Sequence, residues 1–292
     1  MEKTMSKTIE GLYTVNDIRS AVVELYSGNT SQPFDVGMEP LDELYKVARG
    51  TFHIWTGVPN HGKSSFLSDV IMNMAKIHQW KFCIFSPEHS MANNVKRLVE
   101  KYMMKPFDYG MSNRVTTQEL ETALSFIQNH FYFIDMQNES PHIQWILNVA
   151  RKAKDIYDID GLVIDPYNEI NPVRKSNLRE DEHISNVISD IKRFNRETEC
   201  VTWLVARPTK LPREADGSYR VDGYSISGSA HFSNKADIIV VIQRIFEPEK
   251  TLFQVRKVRE ADLYGQIGEA EFKWNGKTRC FHALNSNVWK ER

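Results

Sequence analysis

Cysteine is scarce in these 292 residues: three occur, Cys83, Cys200 and Cys280, far apart and in no metal-ligand spacing. That argues against a disulfide scaffold or a zinc site and fits a reducing compartment in which the thiols only pack. Long apolar runs are missing as well. The longest are strand-sized, and the first 30 residues hold no apolar stretch of the signal-peptide type, so neither a membrane span nor secretion is expected. Net charge is also missing, because 37 Lys and Arg face 38 Asp and Glu for a formal charge of −1. A strongly basic surface, the easiest argument for nucleic-acid binding, is therefore absent, and positive charge for that purpose has to be local. Repeats and low-complexity tracts do not occur. The expectation is a soluble intracellular protein without membrane contact, with one large core and a short N-terminal extension.

What is present is concentrated near residue 60. Gly57, Val58, Pro59, Asn60, His61, Gly62, Lys63 and Ser64 fit the P-loop pattern of two glycines five apart followed by Lys-Ser. In such a loop the glycines let backbone N–H groups turn toward phosphate oxygens, the lysine reaches the β/γ-phosphates, and the serine hydroxyl ligates magnesium. Candidate nucleotide contacts are Gly57, Asn60, His61, Gly62, Lys63, Ser64 and Ser65. Context supports the match: Thr51 to Thr56 reads as a buried strand, and Ser65 to His78 carries apolar residues at helical spacing. Strand, glycine loop and helix N-terminus follow in the order that phosphate binding needs.

Apolar strand candidates then alternate with helices. The strands are Lys81 to Ser86, Phe131 to Asp135, Gly161 to Asp165 and Val201 to Ala206; the helices fall at residues 91 to 105, 116 to 129, 139 to 157 and 179 to 198. This alternation predicts an α/β fold, a mostly parallel sheet with helices on both faces. Four further strand candidates, Asp237 to Arg244, Thr251 to Arg259, Gly265 to Trp274 and Thr278 to Leu284, are joined by short turns and should extend the sheet with antiparallel pairing. Residues 1 to 32 read as an extension with an amphipathic helix at 15 to 27 (Val15, Ile18, Val22, Leu25), and 33 to 292 as the main domain. The helix either folds back on its own domain or docks on a neighbouring subunit.

Three further features bear on chemistry. Gly161 to Ile164 lead into Asp165, a Walker B pattern whose carboxylate, at the end of a core strand next to the P-loop strand, would hold magnesium through its water shell; capping a turn before Pro166 is the plainer alternative. Glu88, after the strand ending at Phe85, is placed either to polarise an attacking water or to cap the next helix. Lys257 and Arg259 project from one face of a strand, as a cation pair for a neighbour's phosphoryl group or as a solvated edge. Two loops hold local positive charge: Arg174, Lys175 and Arg179 in one, Lys210, Arg213 and Arg220 with Tyr219 in the other. They could track a nucleic-acid backbone, although Glu180, Asp181, Glu214 and Asp216 dilute them.

Together these residues resemble the helicase domain of Twinkle-type and phage primase-helicases, relatives of the DnaB replicative helicases, over roughly residues 33 to 285. The resemblance rests on Gly57 to Ser65, Phe85 to Glu88, Leu162 to Asn168, Ser225 to Asp237 and Val255 to Arg259. It implies a RecA-like fold in a homo-oligomeric ring, usually hexameric, with ATP or another NTP and Mg2+ between subunits and single-stranded DNA in the centre. The implied activity is NTP-driven translocation and duplex unwinding, 5′ to 3′, in a bacterial cytoplasm or an organelle matrix, with a primase or polymerase as possible partners. Glu88 then matches the catalytic glutamate, Arg259 the arginine finger, Lys257 its companion cation, and Trp274 a replacement for the aromatic that stacks on the base. Arg174, Lys175, Lys210, Arg213, Arg220, Ser229, Asn234 and Lys235 fall where the DNA-facing loops lie, and the 15 to 27 helix looks like the linker that packs on the next subunit. Two departures stand out. Arg207 occupies the place where relatives commonly carry a His or Gln γ-phosphate sensor, and no primase-like region precedes residue 30, which implies a helicase-only protein or a fragment. A recombinase-like or regulatory RecA-fold ATPase that oligomerises without unwinding is the alternative.

Overall fold

The computed structural model describes residues 11–28, 32–136, 141–170, 180–208, 225–226, 230–284 and 288–290. Residues 1–32 and 33–292 form separate units. In the first, α1 (Val15–Tyr26) begins at Thr14, whose backbone N–H and hydroxyl both donate to the Asp17 carboxylate at 2.7 Å. This reciprocal cap satisfies groups that a helix start leaves open. No residue of α1 is buried.

The second unit is built on a sheet of ten strands. In chain order its elements are β1 (Phe34–Asp35), β2 (Lys46–Val47), β3 (Phe52–Thr56), α2 (Lys63–His78), β4 (Phe82–Phe85), α3 (Met91–Met103), α4 (Thr117–His130), β5 (Phe131–Ile134), α5 (Ile143–Tyr157), β6 (Gly161–Ile164), α6 (Glu180–Thr198), β7 (Val201–Val205), α7 (Ala230–Lys235), β8 (Ile238–Ile245), β9 (Lys250–Val258), α8 (Ala261–Tyr264), β10 (Gly268–Asn275), β11 (Cys280–Ala283) and β12 (Trp289–Lys290). The order across the large sheet is β11-β10-β9-β8-β3-β7-β6-β4-β5, with β12 beside β10 and β1-β2 a separate small ribbon. From β8 to β5 every pairing is parallel, whereas β9, β10 and β11 pair antiparallel. The mostly parallel sheet and its antiparallel C-terminal extension are thus as the alternation of apolar runs indicated.

All five residues of β3 and all of β4, β6 and β7 are buried, as strands covered on both faces must be. Successive side chains serve opposite layers. Trp55, Trp203, Val205 and Val163 pack with Phe66, Val70 and Leu98 of α2 and α3, while Ile54, Leu162, Ile164 and Leu204 pack with Ile146 of α5 and Ile188 and Ile191 of α6. β11 closes over α2, with Phe281 and Phe66 ring centroids 4.7 Å apart. This brings the C-terminal hairpin back to the helix that starts at the P-loop.

Two expectations are corrected. The Walker B strand is not next to the P-loop strand: β7 lies between β3 and β6. The P-loop helix begins at Lys63, two residues before the expected Ser65, because Gly62 in a left-handed conformation is itself the N-cap. The two-residue strands β1, β2 and β12 and the short α7 and α8 show no period in the sequence, being too short to complete one.

Candidate nucleotide-binding site

The loop between β3 and α2 has the backbone its glycines allow. Gly57 lies at φ 142°, and a Cβ there would stand 2.1 Å from the Ile242 carbonyl oxygen, so no side chain fits. Gly62 lies at φ 91°, with Phe281 Cζ 3.0 Å from a would-be Cβ. Both positions demand glycine for conformation, and Gly57 demands it for space too. Lys63 is buried, and its ammonium folds back onto the loop, donating to the carbonyls of Gly57 at 2.9 Å and Val58 at 3.0 Å. Burial pushes its pKa down to about 8 against the pull of Asp165, and Arg207 adds to the lowering. An anionic ligand would add to the counter-charge that Asp165 supplies to this ammonium.

Above the loop opens a cleft of about 710 Å³, walled by Asn60, Gly62, Lys63, Ser64 and Ser65 together with Glu88, Arg97, Lys101, Asp165, Arg207, Trp274 and Arg279. Asp165 directly follows β6 at the carboxyl edge of the sheet and lines the cleft together with Ser64, although β7 lies between β3 and β6. Burial raises its pKa above the ordinary carboxylate value, while Ser64, Lys63 and Arg97 oppose that rise. Glu88, just beyond β4, forms an ion pair with Arg207, just beyond β7. The Arg207 backbone N–H is held at 3.0 Å by Asn168 Oδ1. Beside Glu88, His89 Nε2 meets the Arg97 guanidinium at 2.7 Å, and burial and that charge lower the His89 pKa. These residues come from the ends of three parallel strands, where open α/β sheets carry ligands.

Trp274 of β10 and Arg279, just before β11, complete the lining of the cleft. Trp274 packs on Phe281 with centroids 5.1 Å apart, and the Lys101 ammonium lies 4.5 Å from the centroid of the Trp274 ring. Lys101 also pairs with Asp69 at 2.9 Å and donates to Ser65 Oγ at 3.0 Å and to the Arg279 carbonyl at 2.6 Å.

Other expected site residues stand apart from this cleft. Gly57 shapes the loop behind it, and His61 turns its ring away, Nδ1 accepting from the Arg244 N–H at 3.0 Å beside Phe246. Lys257 and Arg259 do not line the cleft. Both are held at the C-terminal end of α7: Lys257 donates to the carbonyls of Ser233 and Asn234, and Arg259 to that of Asn234 at 2.9 Å. Arg259 also lies 3.5 Å from Asp237 Oδ1. Asn234 is exposed, but the Lys235 ammonium is taken up by the Ser185 carbonyl and the Ser185 and Ser189 hydroxyls at 2.7 to 2.9 Å. Arg174, Lys175, Lys210, Arg213, Arg220 and Ser229 lie outside the described residues.

Arg97, Lys101 and Arg279 were not singled out from sequence. Asn94, Arg97 and Lys101 follow one another at helical spacing on α3, a polar stripe on the helix after Glu88 that could have drawn notice. Arg279 sits in a turn without a motif, and only the closure of β11 over α2 brings it to the cleft.

The donor set of Ser64 and Asp165 suits a magnesium ion, which uses one or two protein oxygens and completes its octahedron with water and phosphate oxygens. Such an ion needs no cluster of three His, Cys, Asp or Glu side chains, and among the described residues no such cluster exists.

Residues 34–283 match the family model of the DnaB-like helicase C terminal domain. The chain is 35% identical over 285 residues to the Twinkle homolog protein, chloroplastic/mitochondrial, of Arabidopsis thaliana, covering 94% of this chain and 40% of that protein. It is 21% identical over 261 residues to a probable plasmid replicative DNA helicase of Chlamydia psittaci, covering 87% and 56%. It therefore spans about half the length of these curated relatives. Among solved structures, the ATPase domain of G40P superposes with a TM-score of 0.75 at 19% identity, over 92% of this chain and 99% of that one. A DnaB-like replicative helicase, described with its interactions with primase, superposes with a TM-score of 0.74 at 19% identity over 93% and 69%. These two likenesses establish the RecA-like fold.

Proposed function

The chain belongs to the DnaB-like helicase C-terminal domain family, and on that premise we propose that it is the NTP-hydrolysing motor of a replicative DNA helicase. The observation that carries this reading is the meeting of the P-loop, the Ser64 and Asp165 pair, Glu88 and Trp274 in one cleft. Phosphoryl transfer needs little covalent help from a protein; it needs positioning and charge, and the cleft is equipped for both.

In this mechanism Lys63 leaves the Gly57 and Val58 carbonyls for the β/γ-phosphates, exchanging two neutral acceptors for a charged one. Magnesium, held by Ser64 and Asp165, would neutralise charge between the phosphates. Glu88 orients the attacking water and accepts its proton. Arg207, paired with Glu88, carries the guanidinium that senses the γ-phosphate. Drawn to the phosphate, Arg207 frees the Glu88 carboxylate, so base activation follows substrate binding. Trp274 stacks on the base.

Lys257 and Arg259 stay out of the chain's own cleft, as residues that serve a neighbouring subunit must. We assign them to the γ-phosphate of the next protomer in a homo-oligomeric ring, hexameric by family resemblance, with α1 packing on that neighbour. Single-stranded DNA would pass through the centre against Arg174, Lys175, Lys210, Arg213, Arg220, Ser229, Asn234 and Lys235, and unwinding would run 5′ to 3′. Lys235 has to leave Ser185 and Ser189 to reach a DNA phosphate. Primase or polymerase partnership and residence in a bacterial cytoplasm or organelle matrix belong to the same reading.

Displacement of a labelled strand from a forked duplex, with ATP and magnesium, tests the proposal. Unwinding by the wild type and none by Lys63→Ala supports it; hydrolysis without displacement on forks of either polarity counts against a helicase.

A further inference from the structure

One buried charge near the cleft has no part in the mechanism above. Lys101 and Asp69 form an ion pair whose side chains are 4% and 6% exposed. We propose that Lys101 is a positioning residue for the nucleobase, whose ammonium fixes the Trp274 wall against the P-loop helix. The inference rests on the nucleotide-binding reading of the cleft and extends it.

The ammonium joins three elements at one point. From α3 it reaches Asp69 and Ser65 of α2, the Arg279 carbonyl in the turn before β11, and the ring of Trp274 on β10. Asp69 completes the joint by accepting the Phe281 N–H at 2.9 Å through its second oxygen. Ser65 lies in the first turn of the helix that presents the P-loop, and Trp274 faces the same cleft. Phe281 packs on both Phe66 and Trp274, and the Lys101 ammonium adds the polar tie between phosphate cradle and base platform. A pair serving stability alone has no need of this arrangement, since apolar residues of similar volume usually do as well in such a place. Here the Lys101 ammonium touches the aromatic face and so holds its tilt, a favourable cation–π geometry in a dry setting.

The consequence is selective. Loosening the joint should weaken the grip on the base and leave the grip on the phosphates, which Gly62, Lys63 and Ser64 make by themselves. The double variant Lys101→Met/Asp69→Asn keeps the buried charge balanced and retains an acceptor for the Phe281 N–H, which guards against simple misfolding; its melting curve checks this. Titration calorimetry with magnesium would compare two probes, a non-hydrolysable ATP analogue and inorganic triphosphate. The analogue should bind about tenfold more weakly than to wild type, the worth of one base stacked on an aromatic ring, while inorganic triphosphate binds as before. In a Trp274→Ala background the effect of the double variant should vanish. An equal loss for both probes, or no loss for either, would overturn the assignment, the first by showing that Lys101 merely supports the P-loop helix. If wild type binds neither probe, the nucleotide-binding reading itself fails and takes this inference with it.

Discussion

On the proposed mechanism, Lys63, Glu88 and Arg207 are the charges that change partners when a triphosphate binds. Lys63 rests on the carbonyls of its own loop, and Glu88 is paired with Arg207. Glu88→Gln should therefore bind nucleotide normally and lose turnover by about 10² to 10⁴, the usual worth of a positioned base; single-turnover hydrolysis alongside calorimetric binding measures both. The cap of α3 is Ser90, whose hydroxyl accepts the Asn93 N–H, so if Glu88 only held Arg207 in place turnover would stay near wild type. Gly57→Ala makes a separate prediction. A Cβ 2.1 Å from the Ile242 carbonyl at positive φ forces the loop or β8 to shift. The variant should lose about 1–3 kcal/mol of stability together with nucleotide affinity, read by denaturant titration and binding. At this scale the sequence was informative wherever residues follow one another closely, as in the P-loop. It was silent on Lys101 and Arg279, which only tertiary packing brings to the cleft.

At the scale of elements, β3 carries the P-loop on one end and a buried polar chain at the other. Trp203 Nε1 donates to the Tyr45 hydroxyl at 2.8 Å, and that hydroxyl lies 2.6 Å from His53 Nδ1. His53 Nε2 lies 2.8 Å from the Thr51 hydroxyl, which donates to the Ala48 carbonyl at 2.6 Å. Donors and acceptors balance in one direction only: Tyr45 gives its proton to Nδ1, and His53 carries its own proton on Nε2 toward Thr51. A neutral imidazole is therefore built into the fold, and burial pushes the His53 pKa down to about 3. An unfolded chain protonates this histidine near pH ~6.5. Below that pH the unfolded state takes up a proton that the folded state refuses, so stability should fall as the pH drops from about 6.5 toward 3, by on the order of a few kcal/mol. Melting temperatures across this range should decline more steeply for wild type than for His53→Gln. Equal slopes would show that the ring does not resist protonation.

Elements with a clear period were legible in advance, including β3, β6, β7 and α2 through α6, because a continuous apolar run or an i, i+3, i+4 stripe already encodes burial. The sheet order was not. That β7 separates β3 from β6 depends on how crossovers pair distant strands, which no local pattern records. Ser64 and Asp165 still line one cleft because both lie at the carboxyl edge of the sheet, where the loops converge.

For the whole molecule, the proposed motor needs sites shared between copies. Arg259 and Lys257 are fastened to carbonyls at the end of α7 and do not line their own cleft. Arg259→Ala should thus bind nucleotide with near wild-type affinity yet lose roughly 10³-fold or more in hydrolysis. Doping it into wild type should depress activity more than in proportion to its share, as interrupted rings would. Proportional decline would indicate that each chain works alone. With a net charge of −1, DNA affinity has to come from a few clustered cations, so binding to single strands should fall steeply with salt, with a log–log slope of about −0.7 for each phosphate contacted.

In the proposed motor, one nucleotide site couples hydrolysis to single-stranded DNA through neighbouring subunits. Steady-state ATP hydrolysis with magnesium, with and without single-stranded DNA and at two protein concentrations, tests it most directly, with Lys63→Ala as the blank. Specific activity should rise with protein concentration and be strongly stimulated by DNA. Hydrolysis indifferent to both would contradict it and would point to an ATPase that oligomerises, if at all, for another purpose.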